Sequence, residues 1–278
     1  MRTAIVTTSY PRFEGDPSGH FVRTEALTRA ANGETVTVIA PGPGHAADDS
    51  VTVKWLVVGS AFGWPGALAR IRARPWRVFS AAAFVVAARR ALAATGPVDA
   101  VVAHWLMPAA WPVAVAARAG TPVEVVVHGS DVGLLERLPR AVGRRVVGAL
   151  ATRGARFRFV STDLRERLVA STGLDEVRGR CSVEPCPIDI SGVPRRDVAR
   201  RALGVGQREL LAVVVGRLVP SKRPEEAVRL ALTLADRVVV VGDGPHASRI
   251  ARVSPRATLV GRLPRHETLA WISAADLV

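Results

Sequence analysis

Short, unbroken apolar runs alternate along this chain with stretches of helical period, an order that few folds accommodate. The runs TAIVTT (3–8), ETVTVIAP (34–41), VDAVVAH (98–104), VEVVVH (123–128), FRFVS (157–161) and CSVEP (181–185) read as strands. Helical period fills most of the intervals, from His20 to Ala31, over 67–95 with an interruption at Pro75, over 109–119 and over 134–153. A strand that is apolar on both faces must be covered on both, which is the condition of a parallel sheet with helices above and below it. The opening strand–loop–helix–strand is the βαβ unit from which such sheets are built. The stretch PCPIDISGVPRRDVARRALGVGQR (185–208), rich in proline and arginine, reads as a connection between domains. The alternation then restarts, with strands LLAVVVG (210–216), RVVVVGDG (237–244) and ATLVG (257–261), helices over 222–235, 245–253 and 264–275, and DLV opening one more strand. The expected architecture is α/β, with two successive doubly wound parallel units: a first domain over 1–185, a connection over 186–208, and an incomplete second domain over 209–278.

At 278 residues, 49% hydrophobic and 22% charged, the chain has material for two packed cores and none of the bias of a disordered protein. Its two cysteines, Cys181 and Cys186, are too few for a disulfide framework or a zinc site, and a reducing cytoplasm is the simplest setting. The apolar segment 78–88 falls well short of the roughly 20 residues that span a bilayer, and 101–117 is interrupted by His104, Pro108 and Pro112. The formal charge of +14, carried almost wholly by arginine, fits nucleic acid, an anionic membrane or phosphorylated substrates, and equally a surface loaded with arginine by a biased genome.

In open parallel sheets, ligands sit beyond the carboxyl ends of the strands, so the residues that follow each strand carry the chemistry. Four places stand out. GDPSGH (15–20), with Gly15, Asp16, Gly19 and His20, lies between the first strand and the first helix. Its glycines let backbone N–H groups approach an anion, although the spacing is not G-x-G-x-x-G and an ordinary flexible loop reads as well. HGSD (128–131) puts His128 and Asp131 directly after a strand, where a structural and a ligand-facing histidine are evenly matched readings; His104 occupies a similar strand end. GRLVPSK (216–222) places Gly216, Arg217 and Lys222 between a strand and a helix. Two cations there suit a diphosphate, and they also suit a solvated surface. VGDGP (241–245), with Gly242, is a glycine turn of the kind that closes many strands. The chain contains no D-x-D, no G-x-S-x-G and no Walker A pattern, which disfavours a metal-dependent transferase of that type, a serine hydrolase and a P-loop enzyme.

Taken in order, these elements resemble the family 4 glycosyltransferases, which have the GT-B fold of two Rossmann-like domains. The resemblance runs through SYPRFEGDPSGHFV (9–22), AHWLMPAA (103–110), VVVHGSD (125–131), FVSTDLRERL (159–168), VEPCPID (183–189), GRLVPSKRPEEAV, VVVGDGP and LVGRLPRHETLAWISAADLV. It implies a retaining, metal-independent enzyme without a cofactor, moving a sugar from a nucleotide-diphosphate donor to a hydroxyl acceptor on a lipid, glycan or small molecule. By the same resemblance, Arg217 and Lys222 hold the donor diphosphate, Gly216, Gly242 and Gly261 line the donor site, and the segment after Gly261 packs on the base. His128 is the catalytic-site residue against the donor sugar, and the 15–20 loop closes over phosphates or lines the acceptor entrance with Asp131. Cys186 and Pro187 stand where the family's hinge signature has Asn–Gly. The sequence stops at Val278, ahead of the family's Glu-x7-Glu segment, so a fragment or truncated copy, inactive by itself, is the expectation.

Two other readings stay open at the level of sequence: a nucleotide-sugar epimerase of the same fold, and a non-catalytic basic binding domain. No helix-turn-helix, finger or aromatic stacking platform supports nucleic acid as a partner. The arginine-rich stretches 67–90 and 137–158 make an anionic membrane surface a further candidate partner for a cytoplasmic protein held peripherally.

Overall fold

The computed structural model describes residues 1–278 apart from 14, 15, 17, 44–49, 64 and 65, and apart from the side chain of Ser221. Gly15 therefore lies outside the described residues. The chain divides into two compact units, Met1–Asp189 and Ile190–Val278.

The first unit is one parallel seven-stranded sheet, formed by β1 (Arg2–Val6), β2 (Thr35–Pro41), β3 (Val51–Leu56), β4 (Ala100–His104), β5 (Val123–Val127), β6 (Arg156–Phe159) and β7 (Cys181–Val183) in the order β3-β2-β1-β4-β5-β6-β7. Alternate residues of the strands feed different cores. Ala4 and Val6 pack with Phe84 and Leu150 on one face, while Ile5 packs with Tyr10, Val22 and Val38 on the other. This is why the strands read as unbroken apolar runs. The helices are α1 (His20–Ala31), α2 (Ala67–Ala73), α3 (Val78–Ala93), α4 (Ser130–Leu135), α5 (Arg140–Thr152) and α6 (Thr162–Thr172).

Three local expectations are corrected. VTVKWL, unassigned in the sequence, is strand β3, in register with β2 from Val36↔Val51 to Pro41↔Leu56. An edge strand exposed on part of its surface carries polar Thr52 and Lys54 and so lacks the apolar run. The helix expected over 109–119 is absent: Leu106–Val113 is a wide-turn segment with extended Met107 and Trp111, followed by a single tight turn at Ala114–Ala116. Pro108 and Pro112 have no N–H to donate to a helical ladder there. The helix expected over 134–153 is two, broken at Pro139, which caps α5 in an extended conformation.

The second unit is a parallel sheet of β8 (Leu211–Val215), β9 (Arg237–Val241) and β10 (Ala257–Gly261), ordered β10-β9-β8, with α7 (Arg196–Ala202), α8 (Pro224–Leu234), α9 (Ala247–Val253) and α10 (Arg265–Ala274). Its two cores also split by strand parity: Leu211 and Val213 join Trp271, whereas Ala212 joins Val228 and Ile250. On the free side of β8, Leu277 forms a parallel bridge with Ala212, so β8 is the point from which the sheet extends both ways. Helix α7 lies within the stretch that reads as a connection, and it belongs to this unit.

Candidate functional site

In the first unit the strand order reverses between β1 and β4, so the loops after these strands part to opposite faces and leave a crevice at their carboxyl ends. The loop after β1 enters α1 through Gly19, whose φ of 69° is left-handed. An added Cβ there would lie 2.2 Å from the Ser9 carbonyl oxygen, so only glycine fits the approach. Asp16 ties the loop together, accepting from the N–H groups of Arg12 at 3.1 Å and Ser18 at 2.9 Å. His20 is the first residue of α1, its ring 5.5 Å from that of Phe21.

His104 ends β4 and His128 follows β5, on neighbouring strands. Register brings them together: His104 Nδ1 lies 2.9 Å from His128 Nε2. Around them stand residues that the sequence reading passed over. The rings of Trp105 and Phe21 lie 4.7 and 4.8 Å from His128, and Trp105 itself has a left-handed φ of 74°. Glu25 of α1 reaches His104 Nε2 at 3.7 Å. Glu25 in turn binds Arg158 of β6 at 2.6 Å and Arg29 at 3.1 Å, while Glu124 of β5 binds the same two arginines at 2.8 and 3.2 Å. Cys186 Sγ lies 3.7 Å from His128 Nδ1. One signal for Glu25 was present in the sequence. It shares the i, i+3, i+4 stripe of Val22 and Ala26 on the buried face of α1.

Asp131 is buried, and its carboxylate is consumed by backbone. Oδ2 accepts from Leu106 N at 3.0 Å, and Oδ1 accepts from Gly129 N at 2.8 Å and Val132 N at 3.1 Å. It therefore clamps the loop after β4 to the loop after β5. Burial pushes its pKa up, against the pull of those N–H groups.

Burial also holds both histidines neutral. The His104 pKa is pushed down to about 4, chiefly by desolvation, with Glu25 opposing and Arg158 and Arg29 adding to the fall. Desolvation, His104 and Arg158 bring His128 down to about 2. The unfolded chain takes up these protons from about pH 6.5, the ordinary value, and the native state does not. Stability is therefore lost as pH falls from about 6.5 toward 4, by about 3 kcal/mol from His104 alone. Glu25, held low despite burial by His104, Arg158 and Arg29, acts in the same direction; Asp131, pushed up, acts against it. Denaturant titrations at pH 7 and pH 4.5 are expected to show a lower unfolding midpoint at pH 4.5 for the wild type, and a smaller difference for His104→Gln.

The second unit gathers its glycine turns at the carboxyl ends of β8, β9 and β10. Gly216 N donates to Val241 O at 3.0 Å, Gly242 N to Gly261 O at 2.8 Å, and Leu218 N to Asp243 O at 3.0 Å. Arg217 follows β8 after Gly216 and is half-buried, and Lys222 is exposed at the end of the tight turn Pro220–Lys222. Helix α8 starts at Pro224, two residues later than the sequence suggests, after Arg223 in a left-handed conformation. Its first turn carries Glu225 and Glu226. Both are engaged, Glu225 by His246 at 2.8 Å and Arg249 at 3.0 Å, and Glu226 by Arg223 at 2.9 Å. Arg217 and Lys222 both stand on the loop between β8 and α8. Among the described residues, no three His, Cys, Asp or Glu side chains are grouped to hold a metal ion. A cavity of about 480 Å³ lined by Arg89, Pro97, Val113 and Arg118 lies at the opposite, amino ends of the strands, before β4 rather than after it.

Two parallel α/β sheets in succession, each gathering loops at the strand carboxyl ends, are the architecture of the GT-B fold. The family model for Glycosyltransferase Family 4 matches residues 19–191, and the chain belongs to that family. The D-inositol 3-phosphate glycosyltransferase of Mycobacterium sp. strain KMS is 32% identical over 152 residues, which make up 50% of this chain and 34% of that relative. The chain thus spans about a third of the length of the curated relatives it matches. Among solved structures, the sucrose-phosphate synthase of Thermosynechococcus elongatus superposes with a TM-score of 0.68 at 17% identity, covering 99% of this chain and 74% of that one. The catalytic domain of starch synthase IV from Arabidopsis thaliana, bound to ADP and acarbose, gives 0.60 at 14% identity, covering 99% and 76%. At these identities the likeness is one of fold.

Proposed function

We propose that this chain contributes to a metal-independent glycosyltransferase that moves a sugar from a nucleotide-diphosphate donor to a hydroxyl acceptor. The observation that carries the reading is the laced end of the second sheet. Gly216, Gly242 and Gly261 bring three strand-end loops within backbone hydrogen-bond reach, and Arg217 and Lys222 stand on the first of them. As the bond to the sugar breaks, the diphosphate, already doubly negative in the donor, gains further negative charge, and two nearby cations stabilise the departing group more than they stabilise the donor. His128 is proposed to lie against the donor sugar and the Asp16–His20 loop to line the acceptor side, with Asp131 holding the loop on which His128 stands. The ADP in the starch synthase structure supports a nucleotide donor, and the named relatives make D-inositol 3-phosphate the first acceptor to test.

In an extended version of the chain that turns over the donor, Lys222→Ala is expected to lower kcat/KM for the nucleotide sugar roughly 100-fold, as loss of one electrostatic contact to a transition state does, with the melting temperature unchanged because the side chain is exposed. Steady-state kinetics with UDP-, ADP- and GDP-sugars would show it, and near-normal kinetics would remove Lys222 from the site. Turnover of the donor with no acceptor present would point instead to an epimerase.

A peripheral position on the cytoplasmic face of a membrane is the second part of the proposal. Trp76, Val78 and Phe79 are 60%, 51% and 75% exposed, beside Arg74, whose guanidinium lies 5.6 Å over the Trp76 ring. Aromatic side chains flanked by arginine suit a headgroup interface. The stretch 137–158 contributes less than its composition suggests. Arg158 is buried against Glu25, and Arg153 binds the carbonyls of Arg118 at 2.7 Å and Thr121 at 3.1 Å. No helix among the described residues is long and apolar enough to cross a membrane. Co-sedimentation with anionic vesicles at low salt is expected to drop at least threefold for Trp76→Ser/Phe79→Ser; equal recovery on neutral and anionic vesicles would rule the surface out.

A further inference from the structure

The side chains beneath His128 form a chain of proton donors and acceptors whose direction can be worked out. Because His104 Nδ1 and His128 Nε2 are 2.9 Å apart, one must donate and the other accept. On the far side of His104, Nε2 faces Glu25 Oε2 at 3.7 Å. Both atoms are buried, and neither has a closer partner among the described residues. Suppose His104 carried its proton on Nδ1. Its bare Nε2 would then face a carboxylate, two acceptors opposed in a buried space. With the proton on Nε2, the N–H points to Glu25, Nδ1 accepts from His128 Nε2–H, and His128 Nδ1 is left bare. Cys186 Sγ lies 3.7 Å from that bare nitrogen, and burial pushes the thiol pKa up so that it keeps its proton. Only this arrangement sets a donor against an acceptor at every link from Cys186 to Glu25. The other charged groups facing the chain are Arg158, Arg29 and Glu124, which together with Glu25 balance two positive against two negative charges.

We propose that Glu25 and His104 are positioning residues that lock His128 as the Nε2–H tautomer, so that its bare Nδ1 accepts a hydrogen bond from a ligand hydroxyl in place of the Cys186 thiol. The proposal rests, for the ligand, on the reading that sets His128 against the donor sugar. It assigns that contact a polarity: His128 accepts from a sugar hydroxyl and cannot donate to a carbonyl or phosphate oxygen.

Glu25→Gln gives a sharp test because its geometry is constrained. Arg158 and Arg29 both donate to Glu25 Oε1, so the Gln oxygen must take that place and its NH₂ must face His104 Nε2. His104 then becomes an acceptor at Nε2 and a donor at Nδ1, and His128 moves its own proton to Nδ1. Two-bond ¹H–¹⁵N correlation spectra of the ¹⁵N-labelled protein at pH 7.5 distinguish a protonated from a bare ring nitrogen. The expected result is a bare Nδ1 on His128 in the wild type and in Cys186→Ala, and a bare Nε2 in Glu25→Gln. A wild-type His128 protonated on Nδ1, or a tautomer that changes in Cys186→Ala, would overturn the lock even if Glu25→Gln failed to fold. A folded Glu25→Gln with His128 unchanged would do so too. Saturation with UDP-glucose or ADP-glucose is expected to shift the Nδ1 resonance without protonating it. Calorimetric binding with no change at His128 would overturn its placement at the sugar and leave the tautomer result intact.

Discussion

Arg200→Met is expected to lower the unfolding free energy of the second unit by about 3–5 kcal/mol, the effect of removing a buried guanidinium that serves several backbone carbonyls. Arg200 is 2% exposed. It donates to the carbonyl of Ala274 at 2.9 Å, to the carbonyls of Gly206 and Glu209, and to Asp276 at 3.1 Å. Asp276 is held in turn by Arg196 and by the Leu211 N–H at 2.9 Å, and these contacts keep its pKa down at about 2. One guanidinium thereby joins α7, the end of α10, the start of β8 and the segment that bridges to Ala212. Methionine fills much of the volume and takes the guanidinium away from the Ala274 and Glu209 carbonyls, each costing about 1–3 kcal/mol when left buried without a donor, while the Gly206 carbonyl keeps the Glu209 N–H at 3.1 Å. A denaturation curve in which residues 190–278 unfold at the wild-type midpoint would show that the network is solvated rather than buried. Asp276→Asn, which keeps an acceptor for Leu211, should cost clearly less.

Gly242→Ala is expected to cost about 3 kcal/mol or more and to weaken nucleotide binding at least tenfold, because a backbone oxygen stands where the methyl must go. An added Cβ would lie 1.9 Å from the Gly216 carbonyl oxygen, at a φ of 144°. Relief requires the loop that carries Arg217 to move away from β9, and the hydrogen bonds from Gly216 to Val241 and from Leu218 to Asp243 go with it. Gly261→Ala is the control. Its φ of 74° is also left-handed, yet nothing lies within 4 Å of the added atom, so only the backbone penalty of about 1–2 kcal/mol remains. Equal melting temperatures and equal nucleotide affinities for the two variants would show that the Gly242–Gly216 approach is not required.

The sheets themselves were legible in the sequence, because a strand covered on both faces must be apolar at consecutive positions, as in AVVAH of β4 and RVVVV of β9. Gly216, Arg217, Lys222, Gly242, His104 and His128 could be named as candidates for a related reason: strand ends in a parallel sheet are where ligand-facing residues belong, and a strand end is a local feature. The polar strand β3 was not legible, since Thr52 and Lys54 break the run and only pairing with β2 makes VTVKWL a strand. Nor was the partnership of residues far apart in the chain. Glu25 and Arg158 are 133 positions apart, and Arg200 and Asp276 are 76 apart. In sequence each reads as one more charge on a chain of net charge +14. What makes Glu25 an internal anion, Arg200 a core residue and Asp131 a loop clamp is desolvation, which exists only once the strands and helices have closed around them. Periodicity determined which segments would be strands and helices. The tertiary structure alone decided which charges lost their water, and so which of them had to find one another.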